Sequence, residues 1–188
     1  MTIKIYTRVG DTGQTKQITG QMIAKDAPQI ELLGALDELE SWLGLCCAVC
    51  SPACVKIRTE VLQIQKQLYQ LQADITVNRH HEITDITVTK MEHRIDQLQT
   101  LVPSIKAFIL PGGDQTGASL QYARTLARRA ERRLVTLIRL TGLSLPDGQR
   151  YLNRLSDYLF VLARYANVLD DYQDIRSDDE ILEPTTHE

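Results

Sequence analysis

A dense block of arginines stands in the middle of the chain, in the stretch LQYARTLARRAERRL from Leu120 to Leu134. It places five arginines and one glutamate on about four helical turns. The chain as a whole has a formal net charge of −3, with 21 basic and 24 acidic side chains. This balance argues against general binding to nucleic acid or to a membrane surface. The block is therefore either a solvated face with Glu–Arg pairs or a local site for an anionic ligand.

A helical wheel divides the block into faces. Arg124, Arg128 and Arg132 form one row, and Glu131 lies beside the first two of them. Two further arginines lie on the far side of the helix, Arg129 and Arg133. The row flanks an apolar stripe made of Leu120, Ala123, Ala127, Ala130, Leu134 and Leu137. Its small alanines let a neighbouring helix approach closely, so that the flanking guanidinium groups can be partly buried.

A second polar row follows in YLNRLSDYLFVLARYAN, where Asn153, Asp157 and Arg164 edge a stripe of inward leucines. Polar rows at the edges of two core faces suggest a shared cleft between the two helices.

The N-terminal stretch YTRVGDTGQT supplies a third set of candidate ligands. Gly10 and Gly13 allow backbone N–H groups to converge on an anion, and Arg8 and Lys25 add positive charge. This combination suits a polyphosphate, although Gly-Asp and Thr-Gly pairs also form ordinary turns. Neither the P-loop pattern nor a GxGxxG fingerprint occurs, so the site would be a non-standard one.

The elements that carry these residues are predicted to be helical. Apolar residues recur at helical spacing in five segments. The first contains Leu32, Leu36, Leu39 and Leu43, and the others lie at about 55–77, 88–101, 116–141 and 149–169. Gly142 is a plausible C-terminal stop for the fourth helix. We predict an all-α protein, a five-helix antiparallel bundle (residues 30–172) with an N-terminal nucleotide-binding loop (residues 1–29). Residues 173–188 are expected to form a disordered acidic tail.

All four cysteines fall within the segment CCAVCSPAC, at Cys46, Cys47, Cys50 and Cys54. Structural zinc sites usually combine two ligand pairs separated by a longer loop, and no such second pair occurs here. Packing of free thiols between two helices is therefore the preferred interpretation over metal binding. With no apolar run of roughly 20 residues and no secretory signal, we expect a cytoplasmic location.

The segments IYTRVGDTGQT, LGALDELESWLG, FILPGGDQTGASLQYAR, RRAER and YLNRLSDYLFVLARYAN, with Lys25–Asp26, closely resemble the PduO-type ATP:cob(I)alamin adenosyltransferases. The resemblance covers most of residues 3 to 168 in the family's order and spacing. It implies a homotrimer of five-helix bundles, with ATP bound between neighbouring subunits and a corrinoid above it. Cob(I)alamin would attack the ribose C5′ of ATP, which forms adenosylcobalamin and releases triphosphate.

The resemblance also implies the site residues. The phosphate side of the ATP site would consist of Thr7, Arg8, Val9, Gly10, Thr15, Lys16 and Lys25. The remaining ATP contacts would be Arg128, Arg129, Ala130, Glu131, Arg132 and Asn153. Arg128 and Arg132 would stabilise charge on the triphosphate, and Glu131 would orient the arginines or help to bind the nucleotide. Mg²⁺ held mainly by the ATP phosphates would share that charge, with no metal site of the protein's own.

Three further positions follow from the same resemblance. Asp37 would pair with Arg124 across the subunit interface, and Phe108 would lie beneath the corrin, where it keeps the lower axial ligand off the cobalt. The chain departs from the usual family pattern at Val9 and Gln121, where many relatives have threonine and histidine. Lys16 also replaces a usually small residue, and it could contact a phosphate or point outward.

Two other functions are compatible with a helical bundle. A ferritin-like di-iron site needs Glu-x-x-His pairs, which are absent, and the sequence HHE at His80 to Glu82 falls in a predicted loop. A non-catalytic module that binds ATP or delivers a corrinoid stays an alternative. A reductase and an adenosylcobalamin-dependent client enzyme are possible partners, and the sequence identifies neither.

Overall fold

Five helices and one short hairpin form the protein in a computed structural model that describes residues 4–77 and 79–180. In chain order the elements are β1 (Gln14–Lys16), β2 (Met22–Ala24), α1 (Pro28–Ala48), α2 (Val55–Thr76), α3 (Asp85–Gln99), α4 (Gln115–Thr141) and α5 (Pro146–Leu169). The prediction of an all-α bundle of five helices is confirmed. In the part of the chain that the structure describes, no helix combines the length and the hydropathy needed to cross a membrane.

The core is built from the apolar stripes that the sequence predicted. Helix α5 contacts α2, α3 and α4, and α1 packs on α2 and α4, with the largest interface between α4 and α5. The stripe of α1 is fully buried at Leu32, Leu36, Leu39 and Leu43. On α4 the small residues Ala123, Ala127 and Ala130 are also fully buried, so neighbouring helices approach this helix closely.

Helix ends follow local signals in the sequence. Helix α4 begins after Asp114, whose carboxylate accepts the Gln115 amide at 2.7 Å, and it ends at Gly142, which adopts a left-handed φ of 71° as a C-terminal stop. Helix α3 begins at Asp85, three residues before the predicted start, because Thr84 forms a capping box. Helix α5 begins at Pro146 rather than at Gln149, since proline suits the first helical turn.

The N-terminal segment contains a hairpin that the sequence did not predict. Strands β1 and β2 are antiparallel and pair Gln14 with Ala24 and Lys16 with Met22. Gly20 has a φ of 88° in the connecting turn, a conformation that favours glycine. Strands of three residues are too short to give a recognisable alternating pattern.

Part of the segment that the sequence predicts to be a disordered tail makes specific contacts with the rest of the chain. Asp174 pairs with Arg164 of α5, and the Ile175 carbonyl accepts the Leu110 amide at 2.8 Å. These partners are distant in sequence, so the acidic, aperiodic composition of the segment gave no sign of them. The remaining residues of the predicted tail, 181–188, lie outside the described residues.

Candidate functional site

One face of the arginine block is directed at α1. Arg129 pairs with Glu38, and Arg133 Nη2 lies 3.0 Å from Glu31 Oε2. Both glutamates stand on α1, so these two arginines join α4 to its neighbour. Their charge is largely neutralised within the chain.

A cavity of about 550 Å³ lies where this face meets the N-terminal segment. Besides these two arginines and two glutamates, it is lined by Thr15, Lys25, Ile30, Gly34 and Ala35. Thr15 is half-buried, whereas Lys16 is exposed, because successive side chains of a strand point to opposite faces. Of the two neighbours, Thr15 therefore reaches the cavity and Lys16 points outward.

The glycine loop folds against Lys25. The Lys25 amide donates to the Gly13 carbonyl at 2.9 Å, and a Cβ added to Gly10 would lie 3.0 Å from Lys25 Nζ. Gly13 and Arg8 both adopt positive φ, at 82° and 62°. The loop thus brings a turn with two positive φ values beside the Lys25 ammonium group.

The residues at the start of this loop are more exposed. Thr7, Arg8 and Val9 are exposed, and the Arg8 guanidinium lies 5.7 Å from the centre of the Tyr6 ring. None of the three lines the cavity. The candidate ligands nearest the cavity are therefore Lys25 and Thr15.

A second face of the arginine block, directed about 100° from the first, has no acidic partner in the part of the chain that the structure describes. Arg128 and Arg132 are exposed, and Arg132 Nη1 donates to the Arg128 carbonyl at 3.1 Å. Within residues 4–77 and 79–180, neither forms an ion pair. Asn153 Nδ2 donates to Glu131 Oε1 at 2.8 Å, which links this face of α4 to α5. Ala130 is fully buried, so its methyl group belongs to the core.

The two cationic faces of α4 point in different directions. Consecutive helical residues differ by about 100° around the axis, so Arg128 and Arg132 are directed about 100° away from Arg129 and Arg133. Lys25 and Thr15 stand beside the second pair. Each chain therefore presents two candidate half-sites, one at Lys25 and Thr15 and one at Arg128 and Arg132, which are directed differently from α4.

A third region surrounds Arg124. Its Nε donates to Gln121 Oε1 at 3.0 Å, and burial followed by repulsion from Arg128 lowers the pKa of Arg124. Gln121 is 4% exposed, so a buried side-chain amide orients this arginine. Beside them lies a cavity of about 380 Å³ that reaches Phe108, whose side chain is 88% exposed.

Asp37 lies on α1 and is exposed. It forms no ion pair within the described residues, and the same holds for Arg124. Burial raises the pKa of the Glu40 carboxyl group, and the negative charge of Asp37 raises it further. The hydrogen bond that Gln72 donates to Glu40 acts in the other direction and lowers this pKa. The predicted Asp37–Arg124 pair is thus not formed within one chain.

Comparison with known proteins identifies the family. The family model described as Cobalamin adenosyltransferase matches residues 5–166. The chain belongs to the cobalamin adenosyltransferase family. The chain is 40% identical over 170 residues to a corrinoid adenosyltransferase of Bacillus subtilis, covering 88% of this chain and 87% of the relative. It is 41% identical over 167 residues to the corrinoid adenosyltransferase PduO of Salmonella typhimurium, covering 85% of this chain and 48% of that protein.

The fold is similar to solved members of this family. A variant of a PduO-type ATP:corrinoid adenosyltransferase from Lactobacillus reuteri, complexed with cobalamin and ATP, has a TM-score of 0.87 and 36% sequence identity. The match covers 94% of this chain and 100% of that one. A second variant of that enzyme, complexed with ATP, has a TM-score of 0.84, also with 36% identity, over 92% of this chain and 99% of that one.

The structure brings some of the predicted polar residues together and separates others. Asn153 does meet Glu131, whereas Arg164 and Asp157, predicted in the same polar row, do not join it. Asp157 accepts from Arg154 at 3.1 Å, and Arg164 is buried against Asp174.

The roles of Glu31 and Glu38 in neutralising one face of α4 were also missed. Both lie on α1 at a spacing of seven residues, which matches two helical turns. This spacing places both glutamates on one face of α1, and it was the feature of the sequence that could have indicated their shared role.

The cysteines lie where α1 ends and α2 begins, as predicted. Cys46 and Cys54 are buried, and burial raises the pKa of Cys46 to about 12 and that of Cys54 to about 11. Burial raises the pKa of Cys47 and of Cys50 as well. Thiols held protonated in this way are poor nucleophiles. The contacts support the packing interpretation.

The HHE sequence lies in the connection between α2 and α3, as predicted. His80 Nδ1 lies 2.6 Å from Asp74 Oδ1, and Asp74 also accepts the amides of Glu82 and Ile83, each at 2.9 Å. Asp74 therefore fixes this connection. Among residues 4–77 and 79–180, no group of three or more His, Cys, Asp or Glu side chains is arranged to hold a metal ion.

Proposed function

We propose that the protein transfers the 5′-deoxyadenosyl group of ATP to cob(I)alamin, forming adenosylcobalamin and releasing inorganic triphosphate. One observation carries this proposal. The cations expected at the phosphates, Lys25, Arg128 and Arg132, form no ion pair within the described residues, whereas their neighbours Arg129 and Arg133 are neutralised by glutamates. Exposed cations that have no acidic partner in the described residues are available to a polyanionic ligand.

The chemistry needs no general base from the protein. The cobalt(I) centre of the corrinoid donates an electron pair to C5′, the cobalt–carbon bond forms, and the C5′–O bond breaks with its electrons leaving on the triphosphate. The protein supplies orientation, exclusion of water and positive charge near the leaving oxygens. Arg128 and Arg132 would stabilise that growing charge, and the Glu131–Asn153 hydrogen bond would hold the nucleotide side of the cleft.

A magnesium ion would fit this site through the nucleotide. The described residues contain no ready cluster of metal ligands, as noted above, so Mg²⁺ would be held mainly by the ATP phosphates. When bound, it would neutralise part of the triphosphate charge. Lys25, Thr15 and the Gly10 backbone would contact the same phosphates from the N-terminal side.

The active protein would be a homotrimer with ATP between subunits. The two half-sites support this assembly, because a second copy can bring the Lys25 half-site of one chain against the Arg128 half-site of the next. Arg124 and Asp37 support it as well. The half-buried arginine and the exposed aspartate, neither with an ion-pair partner in the described residues, are complementary across an interface. Size-exclusion chromatography with light scattering measures this assembly.

Phe108 would contact the lower face of the corrin. Its 88% exposure beside an apolar cavity, rather than burial in the core, supports this role. An apolar ring there would displace the lower axial ligand from cobalt(II), which makes reduction to cobalt(I) easier because axial donation raises the orbital that accepts the electron.

Two partner proteins would act before and after this enzyme. A separate reductase would supply the electrons for the reduction of cobalt, and a client enzyme would receive the adenosylcobalamin. The four free thiols favour a reducing, cytoplasmic compartment.

A turnover assay tests this function against the alternative of a non-catalytic carrier. The protein is mixed with ATP, magnesium and chemically reduced cobalamin, and both adenosylcobalamin and triphosphate are measured. An enzyme forms the two products in equal amounts, over many turnovers. Binding of both substrates without either product would support the carrier instead.

A further inference from the structure

The segment that follows α5 pairs with the segment that carries Phe108. The Ser177 amide donates to the Phe108 carbonyl at 2.7 Å, and the Leu110 amide donates to the Ile175 carbonyl at 2.8 Å. Between these two bonds, residues 109 and 176 form an antiparallel bridge. The two segments therefore make a minimal antiparallel ladder.

The ring of Phe108 has little other support. It is 88% exposed, so packing of its side chain does not fix it. It stands in the connection between α3 and α4, residues 100–114, which contains no helix or strand. A long irregular connection needs tertiary contacts to select one conformation. The position of the ring therefore depends on the backbone partner of Phe108, which is the segment at 175–177.

A buried ion pair anchors that segment. Arg164 of α5 and Asp174 have side-chain exposures of 5% and 16%, and Arg164 Nε lies 2.7 Å from Asp174 Oδ2. Arg164 Nη2 also donates to the Pro103 carbonyl at 2.8 Å. One guanidinium group thus joins α5, the C-terminal segment and the start of the 100–114 connection.

Asn167, one turn further along α5, holds the other end of the same connection. Its Nδ2 lies 2.9 Å from Asp174 Oδ1 and 3.4 Å from the Gly112 carbonyl oxygen. Its carboxamide packs so closely on Gly113 and Gly117 that a Cβ on either glycine would overlap it. Both ends of the connection are thereby fixed to α5 beside Asp174.

Net stability does not explain such a pair well. The cost of removing two charges from water offsets most of their attraction, and apolar side chains of similar volume are often as stabilising. A buried pair does, however, require one alignment of its partners. We propose that Arg164 and Asp174 are positioning residues that, through residues 175–177, hold Phe108 against the lower face of the corrin. This inference rests on the function proposed above.

Two perturbations test the proposal by independent routes. Ser177→Pro removes the amide that donates to Phe108, whereas its matched control Ser177→Ala keeps the amide and removes only the hydroxyl. The double substitution Arg164→Met with Asp174→Leu replaces the ion pair by apolar groups, which keeps the site filled but removes the fixed alignment, including the bonds to Pro103 and Asn167. Thermal unfolding checks that this variant folds. Arg150→Gln, which breaks an exposed ion pair elsewhere on α5, is the control for the double variant.

The readouts separate positioning from folding. With ATP bound, Ser177→Pro and the double variant should accumulate about tenfold less four-coordinate cob(II)alamin, since a displacement of about 1 Å in a positioned group can cost up to ~100-fold. Their KM for ATP should match the parent, because the nucleotide contacts are untouched. Hydrogen exchange at the Leu110 amide should accelerate without any corrinoid present. Both controls should behave as the parent in all three measurements.

The outcomes distinguish this proposal from the function on which it rests. If the parent makes adenosylcobalamin and the two perturbed proteins accumulate as much four-coordinate cobalt(II) as it does, the positioning role is overturned and the function stands. A perturbed protein that loses turnover equally with chemically prepared cob(I)alamin would also overturn it, because that substrate bypasses the reduction step. A parent that makes no adenosylcobalamin would overturn the function and this proposal together.

Discussion

Replacing Arg128 by lysine tests the assignment of the unpaired arginine face to the triphosphate. The substitution keeps one positive charge but loses the planar fork that can contact two phosphate oxygens at once. The Arg128 side chain is exposed and donates no hydrogen bond within the described residues. The backbone carbonyl that accepts from Arg132 is unchanged by the substitution.

These contacts set the expected magnitudes. Stability should change by no more than about 0.5 kcal/mol, as is usual for an exposed side chain without partners. A hydrogen bond to a charged group contributes about 1.5–3 kcal/mol, and each ~1.4 kcal/mol corresponds to a tenfold change in rate. Loss of one such bond in the transition state should therefore lower kcat/KM by about 10- to 100-fold.

The assay compares Arg128→Lys with Arg139→Lys. Arg139 is exposed near the end of the same helix and lies far along it from the proposed site. Initial rates with chemically prepared cob(I)alamin give kcat and KM for ATP, and thermal unfolding of both variants checks the fold. The control should retain the parent's kinetics.

A result within about twofold of the parent kcat/KM, for a folded Arg128→Lys protein, would refute the reasoning. A rise in KM alone would mean that Arg128 binds ATP in the ground state without stabilising the transition state.

Three other perturbations have defined expectations. Phe108→Ala should keep the KM for ATP but lose turnover with a biological reductant, and most of that defect should disappear with chemically prepared cob(I)alamin; equal defects in both assays would contradict the role of the ring. Arg124→Ala should leave the Asp37 carboxylate unpaired where the proposed trimer would bury it, and should weaken the trimer by about 3 kcal/mol. An unchanged dissociation profile on a sizing column would remove Arg124 from the interface. Burial raises the pKa of Cys46 from 9.0 to about 12 in the folded protein. As the pH rises, the thiol therefore ionises in the unfolded chain before it ionises in the folded one. The free energy of unfolding should fall progressively between pH 9 and 12 for this reason. Denaturant titrations of the parent and Cys46→Ala should therefore show a steeper fall with pH in the parent, and parallel curves would count against a buried, protonated thiol.

The sequence predicted the features that depend on local pattern. The spacing of Leu32, Leu36, Leu39 and Leu43 defines the buried face of α1, and Gly142 marks the end of α4. Such signals are repeated along an element, so that one atypical residue does not obscure them. The start of α3 was missed by three residues because Thr84, a capping residue, precedes the apolar pattern.

Features that depend on contacts between residues distant in sequence could not be predicted from local patterns. The wheel separated Arg129 from Arg128 correctly, but only the packing of α1 on α4 reveals that Glu38 neutralises Arg129. Likewise, Arg164 was assigned to a cleft because it lies on the same wheel position as other polar residues. Its partner Asp174 follows a turn of the chain after α5, and no periodicity relates the two.

The division of α4 into two half-sites has a consequence for genetics. In the proposed ring, the lysine of one active site and the arginine of the same site belong to different polypeptides. Two inactive proteins, one with Lys25→Ala and the other with Arg128→Ala, would therefore restore each other when co-expressed. If the two proteins are made in equal amounts and assemble at random, about a quarter of the active sites between subunits contain both intact residues. Two defective alleles of this gene would therefore complement each other to about that extent.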